Sequence, residues 1–162
     1  MSVNLNGLLV CDYFVAKSIQ NTKQDGIIAS VVSDRFLDKT QNHVRELIAK
    51  EASFLGAIRL PNNTFKGRAN TGVTTDIVFF KKGFNATINK DWIESKSYIQ
   101  REGKEYNIKE YFLNPQHIAG DLELVTTEYK DYKIIYTPNK DKVLTLQLDA
   151  FIKYLLKDVY RY

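Results

Sequence analysis

Phe54-Leu55-Gly56-Ala57-Ile58-Arg59-Leu60-Pro61 and Thr74-Thr75-Asp76-Ile77-Val78-Phe79-Phe80 are apolar runs separated by the Asn-, Gly- and Thr-rich stretch 62–72. Both have the length and the β-branched and aromatic content of strands. Pro61 has no amide to give to a ladder and stops the first. The intervening eleven residues show no helical pattern and are too few for a crossover. The second run is therefore expected to return antiparallel to the first.

Upstream, Asp25-Gly26 is a turn signal that opens Ile27-Ile28-Ala29-Ser30-Val31-Val32. A continuous run of this kind suits a strand covered on both faces. Residues 40–52 read as a helix, with Val44, Leu47 and Ile48 as the buried stripe and Arg45, Glu46 and Lys50 on the wet face. That helix makes a crossover, so the 27–32 and 54–60 strands should be parallel. Residues 8–20 read as a short amphipathic helix, with Leu9, Val10, Tyr13, Phe14 and Ala16 together and Asp12, Lys17 and Gln20 in water.

Downstream the pattern changes. Residues 92–100 read as a short helix or an irregular segment, and Tyr111-Phe112-Leu113-Asn114-Pro115 ends in a turn that His117 to Gly120 leaves. Residues 122–127 and 132–137 alternate as a hairpin around Lys130-Asp131. The final helix, 145–160, carries Leu148, Phe151, Ile152, Leu155 and Val159 as an apolar stripe. Residues 1–83 thus form an α/β core, and 84–162 an extension with a hairpin and a terminal helix, packed as one unit with it.

Composition sets wide bounds. Hydrophobic residues make up 44% and charged residues 26% of the 162, a globular balance. No apolar run approaches the roughly 18 residues of a membrane span. The first residues lack the basic start and cleavage site of a signal peptide. Cys11, the single cysteine, reads as a buried, inert thiol and suits a reducing cytoplasm. Residues 1–83 hold 11 Lys/Arg against 7 Asp/Glu and the remainder 12 against 12, so the whole net charge of +4 lies in the first half. That is compatible with nucleic-acid binding without establishing it.

Catalytic patterns are sparse. His43 and His117 have no second ligand at metal spacing, and there is no Gly-x-Ser-x-Gly or Gly-rich phosphate loop. Asp34 and Asp38 follow a strand end and read as capping and solvation. The unusual segment is Arg59-Leu60-Pro61-Asn62-Asn63-Thr64-Phe65-Lys66-Gly67-Arg68, one aromatic and three cations beyond a strand. It could stack on a base and hold phosphates. Equally, Phe65 could tuck back into the core.

This segment and its flanks also carry a resemblance. Leu55 through Phe65, followed by Thr74-Thr75-Asp76-Ile77-Val78-Phe79-Phe80-Lys81-Lys82, resembles a signature of adenine-specific (N6) DNA methyltransferases of the large, helicase-associated mobile-element type. Asp12-Tyr13-Phe14-Val15-Ala16-Lys17-Ser18, Gly26 through Ser33, and Tyr111-Phe112-Leu113-Asn114-Pro115 with Gly120 resemble further elements of that family, in the same order. The resemblance implies the C-terminal part of a Rossmann-like catalytic domain. The strands read above would be its fifth, sixth and seventh, the last antiparallel and inserted between the other two. It implies a flipped target adenine, with Phe65 at the position that lies against the base and Arg59, Lys66 and Arg68 near the DNA backbone. It implies S-adenosylmethionine as the cofactor of the complete enzyme.

The family's donor-binding Gly-rich turn and its Asn/Asp-Pro-Pro-aromatic motif are not among these residues; Pro61, Pro115 and Pro138 stand apart. Methyl transfer depends on holding donor and amine in line. The expectation is a methyltransferase piece with no catalytic residue and no cofactor site of its own, contributing the DNA side and inactive alone. Truncation, gene splitting or a decayed mobile element would produce such a piece, and a complementary fragment would complete it. The alternative is a stand-alone DNA- or protein-binding module on the same fold. In either case the bare edge of the 27–32 strand is expected to be covered by the N-terminal helix or a second copy, or else to aggregate.

Overall fold

The structure is a computed structural model and describes residues 8–65, 73–83, 91–94, 97–101, 104–126 and 132–159. Helix α1 (Val10–Asn21) leads through a turn at Asp25 into β1 (Ile27–Ser33). One helical turn, α2 (Arg35–Asp38), and α3 (His43–Ala49) precede β2 (Ala52–Leu60) and β3 (Thr75–Lys82). The sheet order is β1-β3-β2. β3 runs antiparallel to both neighbours, with Ile28 opposite Phe80 and Ile58 opposite Ile77. β1 and β2 are therefore parallel, joined by the helical crossover, and the helix-free connection brings β3 back between them. This is a mixed α/β fold, consistent with part of a methyltransferase-like sheet.

Helix α4 (Asp91–Glu94) and a hairpin of β4 (Ser97–Arg101) and β5 (Lys104–Ile108) come next. Two 3-10 turns, Glu110–Leu113 and Pro115–His117, lead to the hairpin of β6 (Asp121–Thr126) and β7 (Tyr132–Thr137) and to α5 (Leu144–Val159). The short-helix-or-irregular reading of 92–100 needs correction. Only four residues are helical, and from Ser97 onward pairing with 104–108 overrides a weak local pattern.

Alternation along the strands divides the core between two faces. On one, Val15 and Ile19 of α1, Val44 and Ile48 of α3 and Trp92 of α4 pack with Ile28, Val32, Val78 and Phe80. Trp92 stacks on Phe54 with ring centres 5.0 Å apart. On the other, Phe151 and Leu155 of α5 meet Ile58, Leu60 and Ala119. A β-bulge between Phe54 and Gly56 lets α5 approach, since a Cβ on Gly56 would lie 2.6 Å from a methyl of Leu155.

Helix phase departs from the sequence reading in three places. The buried residues of α1 are Asp12, Val15, Ala16 and Ile19, whereas Leu9, Val10 and Phe14 are exposed. Asp12 can turn inward because Lys39 pairs with it. In α3, Arg45 is buried rather than wet. Its guanidinium donates to the carbonyls of Phe36 (3.0 Å), Lys39 (2.9 Å) and Ile93 (3.1 Å), which together satisfy a charge that would otherwise stay in water. In α5, Phe151 and Leu155 are buried while Ile152 is exposed, and the Val159 side chain lies outside the described residues.

Candidate functional site

The two parallel strands end, and β3 begins, at one edge of the sheet. Register sets Arg59 of β2 opposite Asp76 of β3. The Arg59 guanidinium donates to both Asp76 oxygens at 2.7 and 2.8 Å, to Asp38 Oδ2 at 2.7 Å and to the Tyr136 hydroxyl at 3.3 Å. It lies 3.8 Å from the centre of the Phe112 ring and 5.0 Å from that of Tyr136. Arg59 is 1% exposed and Asp76 0%. Burial pushes the Asp76 carboxyl up to about 6 against the pull of Arg59. Burial likewise raises Asp38, opposed by Arg59. Asp38 Oδ1 and Thr75 Oγ1 are buried here without a hydrogen-bond partner.

The chain leaving β2 is held by the second half of the molecule. Asn62 N–H donates to Tyr136 O at 2.7 Å, and Ala119 N–H donates to Arg59 O at 2.8 Å. Ile118 forms a parallel bridge with Arg59. Within the turn, the amide and hydroxyl of Thr64 both donate to Pro61 O, at 3.1 and 2.7 Å. Phe65 ends this braced turn. Its side chain is half-buried against the cluster of Ile58, Leu60, Ala119, Phe151 and Leu155.

The sequence-derived candidates are thus placed differently from one another. Phe65 sits beyond the sheet edge, half-buried against the second core cluster. Lys66 and Arg68 lie outside the described residues. Arg59 requires correction: with two carboxylates and two rings around it, its guanidinium has no face left for a DNA phosphate. Asp34 caps α2, accepting from Arg35 N–H at 2.8 Å. Asp38, read as a solvated cap, is a partner of Arg59. Tyr136 and Phe112 were missed altogether, because their contacts with Arg59 span long stretches of chain. The one local signal was an Asp placed one residue into the apolar strand Thr75–Lys82, opposite an Arg.

His117 stacks on Tyr111 with ring centres 3.9 Å apart, and its Nδ1 is 2.7 Å from Tyr111 O. Burial lowers its pKa, opposed by the contact with the Tyr111 carbonyl. The Tyr111 hydroxyl accepts from Ala57 N–H at 2.8 Å, beside the bulge. These rings tie the 3-10 turns to β2.

Lys109 is a second buried cation near this edge. It is 4% exposed, and its Nζ lies 3.4 Å from Ile93 O, the carbonyl that Arg45 also uses. Burial, then Arg45, lower its pKa to about 8. The unfolded chain takes up this proton more readily, so stability should rise between about pH 8 and 10.5 and fall as pH drops through 8. Lys109→Met is expected to raise the unfolding free energy at pH 7 by about 2 kcal/mol and to flatten that rise. Urea titrations at pH 7 and 9.5 measure both, and a less stable variant at pH 7 would contradict the assignment.

A groove of about 470 Å³ lies between α1 and the outer edge of β1. Its walls are apolar and serine side chains. No helix of the described residues is long and apolar enough to cross a membrane. Comparison with curated proteins and with solved structures gives no match. The family described as N-6 DNA Methylase matches residues 10–133, which takes in the three-stranded sheet, the braced turn and β6, and ends two residues into β7. The chain belongs to the N-6 DNA methylase family.

Proposed function

We propose that these residues form the target-base side of an adenine-N6 DNA methyltransferase site. The turn 62–65, braced by the Tyr136 and Ala119 hydrogen bonds, carries this reading. It presents an aromatic ring from a fixed position just beyond the sheet edge. A flipped adenine needs such a ring, because its amino group is out of reach inside the duplex. Phe65 would leave its half-buried seat on the second core cluster to stack on the base, and Lys66 and Arg68 would follow the backbone. The resemblance of the β2–β3 segment supports a place among the helicase-associated enzymes of mobile elements and restriction-modification systems, acting on DNA in the cytoplasm.

The family uses S-adenosylmethionine, but the described residues do not fit that donor. The groove beside β1 offers apolar groups and hydroxyls where an amino-acid zwitterion needs charged partners. At the sheet edge, Asp76 gives both oxygens to Arg59 and Asp38 gives one, which leaves only Asp38 Oδ1 unpartnered. We therefore assign no methyl-transfer step to this chain's own residues, and a complementary set of residues would hold the donor.

Two titrations test the proposal. Fluorescence anisotropy with a duplex containing an unpaired adenine should show tighter binding than with a fully paired duplex. Phe65→Ala should remove roughly tenfold of that preference, a stacking contact being worth about 1–3 kcal/mol. Calorimetry with S-adenosylmethionine should show no heat of binding. Micromolar donor binding, or equal affinity of wild type and Phe65→Ala for the unpaired adenine, would overturn the assignment.

A further inference from the structure

The turn that carries Phe65 keeps its shape without two of its own side chains. Residues 61–64 are closed by Thr64 N–H and the Thr64 hydroxyl on Pro61 O, at 3.1 and 2.7 Å. Asn62 N–H on Tyr136 O, at 2.7 Å, anchors the turn to the hairpin. Asparagine is favoured in turns because its side chain caps nearby backbone and because it tolerates a left-handed conformation. Neither reason applies here. The side-chain amides of Asn62 and Asn63 enter none of the turn's hydrogen bonds. Neither residue has a positive φ, which among the described residues other than glycine only Asp25 does.

The two amides differ in setting. Asn62 is half-buried where its backbone meets the hairpin, whereas Asn63 is exposed in the middle of the turn. Asn63 stands two residues before Phe65, at most about 7 Å along the chain. The neighbouring polar groups are already used. The Thr64 hydroxyl is spent on Pro61 O, and Arg59 is enclosed by Asp76, Asp38 and two rings. Asn63 thus offers a carbonyl acceptor and an NH2 donor, side by side in one plane, on the same braced turn as the aromatic ring.

On the footing of the proposed target-base site, we infer that Asn63 determines which base that site takes: its side-chain amide reads the edge of the flipped adenine. Stacking on Phe65 holds a base by its face, which all bases share. Telling one base from another requires its edge. An asparagine amide matches that of adenine, its oxygen accepting from the 6-amino group while its NH2 donates to N7. This uses one N–H of the amino group and leaves the nitrogen lone pair, where a methyl group would be received, free. Hypoxanthine carries an oxygen in place of the amino group, so the Asn63 carbonyl would meet a second acceptor there.

Fluorescence anisotropy with three otherwise identical duplexes tests the assignment. One carries an unpaired adenine, one an unpaired hypoxanthine, and one is fully paired. The wild-type chain should bind the unpaired adenine roughly tenfold more tightly than the hypoxanthine, the discrimination expected of a bidentate amide–adenine contact. Asn63→Ala should bring the two to nearly equal affinity and keep the preference for an unpaired base over the paired duplex. Phe65→Ala should instead weaken both unpaired duplexes alike. Far-UV circular dichroism and the urea midpoint of Asn63→Ala should match wild type, since its side chain makes none of the turn's bonds. A wild-type chain with no preference for unpaired adenine over the paired duplex would overturn the target-base reading, and the role of Asn63 with it. A preference that persists and depends on Phe65, but with adenine and hypoxanthine bound equally or with a discrimination that Asn63→Ala leaves intact, would overturn the role of Asn63 alone.

Discussion

Arg59→Ala is expected to lower the unfolding free energy by about 3–5 kcal/mol, the loss that follows when one partner of a buried ion pair is removed. Asp76, 0% exposed, would lose both of its short hydrogen bonds and keep a charge with nothing to balance it. Phe112 and Tyr136 would face a cavity where the guanidinium had been held between them. The hairpin would also lose its side-chain tie to β2. Arg59→Leu combined with Asp76→Leu separates these effects. With both charges gone, much of the stability should return, because the pair itself offsets a large desolvation penalty. Urea unfolding of the wild type, the single and the double variant measures the coupling. A single variant as stable as wild type would show that the chain reorganises around Asp76.

The second large effect is expected at Gly120. Its φ is +144°, and an added Cβ would stand 2.3 Å from the Thr137 carbonyl oxygen and 3.1 Å from Pro61 Cγ. The oxygen belongs to backbone in a hairpin strand and cannot swing away as a side chain could. Gly120→Ala should therefore destabilise the fold by about 2–4 kcal/mol, combining backbone strain with overpacking. Pro61 opens the turn that ends in Phe65, so the displacement would reach the proposed base-stacking ring. Measured where the variant remains folded, the preference for unpaired adenine should fall together with the melting temperature. A variant within about 0.5 kcal/mol of wild type would place this contact among those the surface absorbs freely.

Both predictions concern contacts that join distant parts of the chain, and such contacts were least legible beforehand. Secondary-structure type was readable where it is a local property. Ile27–Ser33 and Ala52–Leu60 declare themselves by runs of apolar residues, and Leu144–Val159 by a helical stripe. The family resemblance rested on the same continuous segments. Ser97–Arg101 was missed because five residues of mixed character take their structure from the strand they pair with.

What the sequence determined by itself, then, was three strands, a helical crossover, and a return too short to cross over, hence an antiparallel third strand. Those follow from periodicity and chain length, which act within a few residues. The tertiary structure alone decided which charges go inside. Asp12 turns inward because Lys39 reaches it, Arg45 because the carbonyls of Phe36, Lys39 and Ile93 converge on it, and Arg59 because Asp38, Asp76, Phe112 and Tyr136 surround it. A charge is buried only when its partners are already in place, and those partners lie far along the chain. For the same reason the sequence left Phe65 with two readings. The second core cluster, assembled from β2, Ala119 and α5, gives the ring its resting seat.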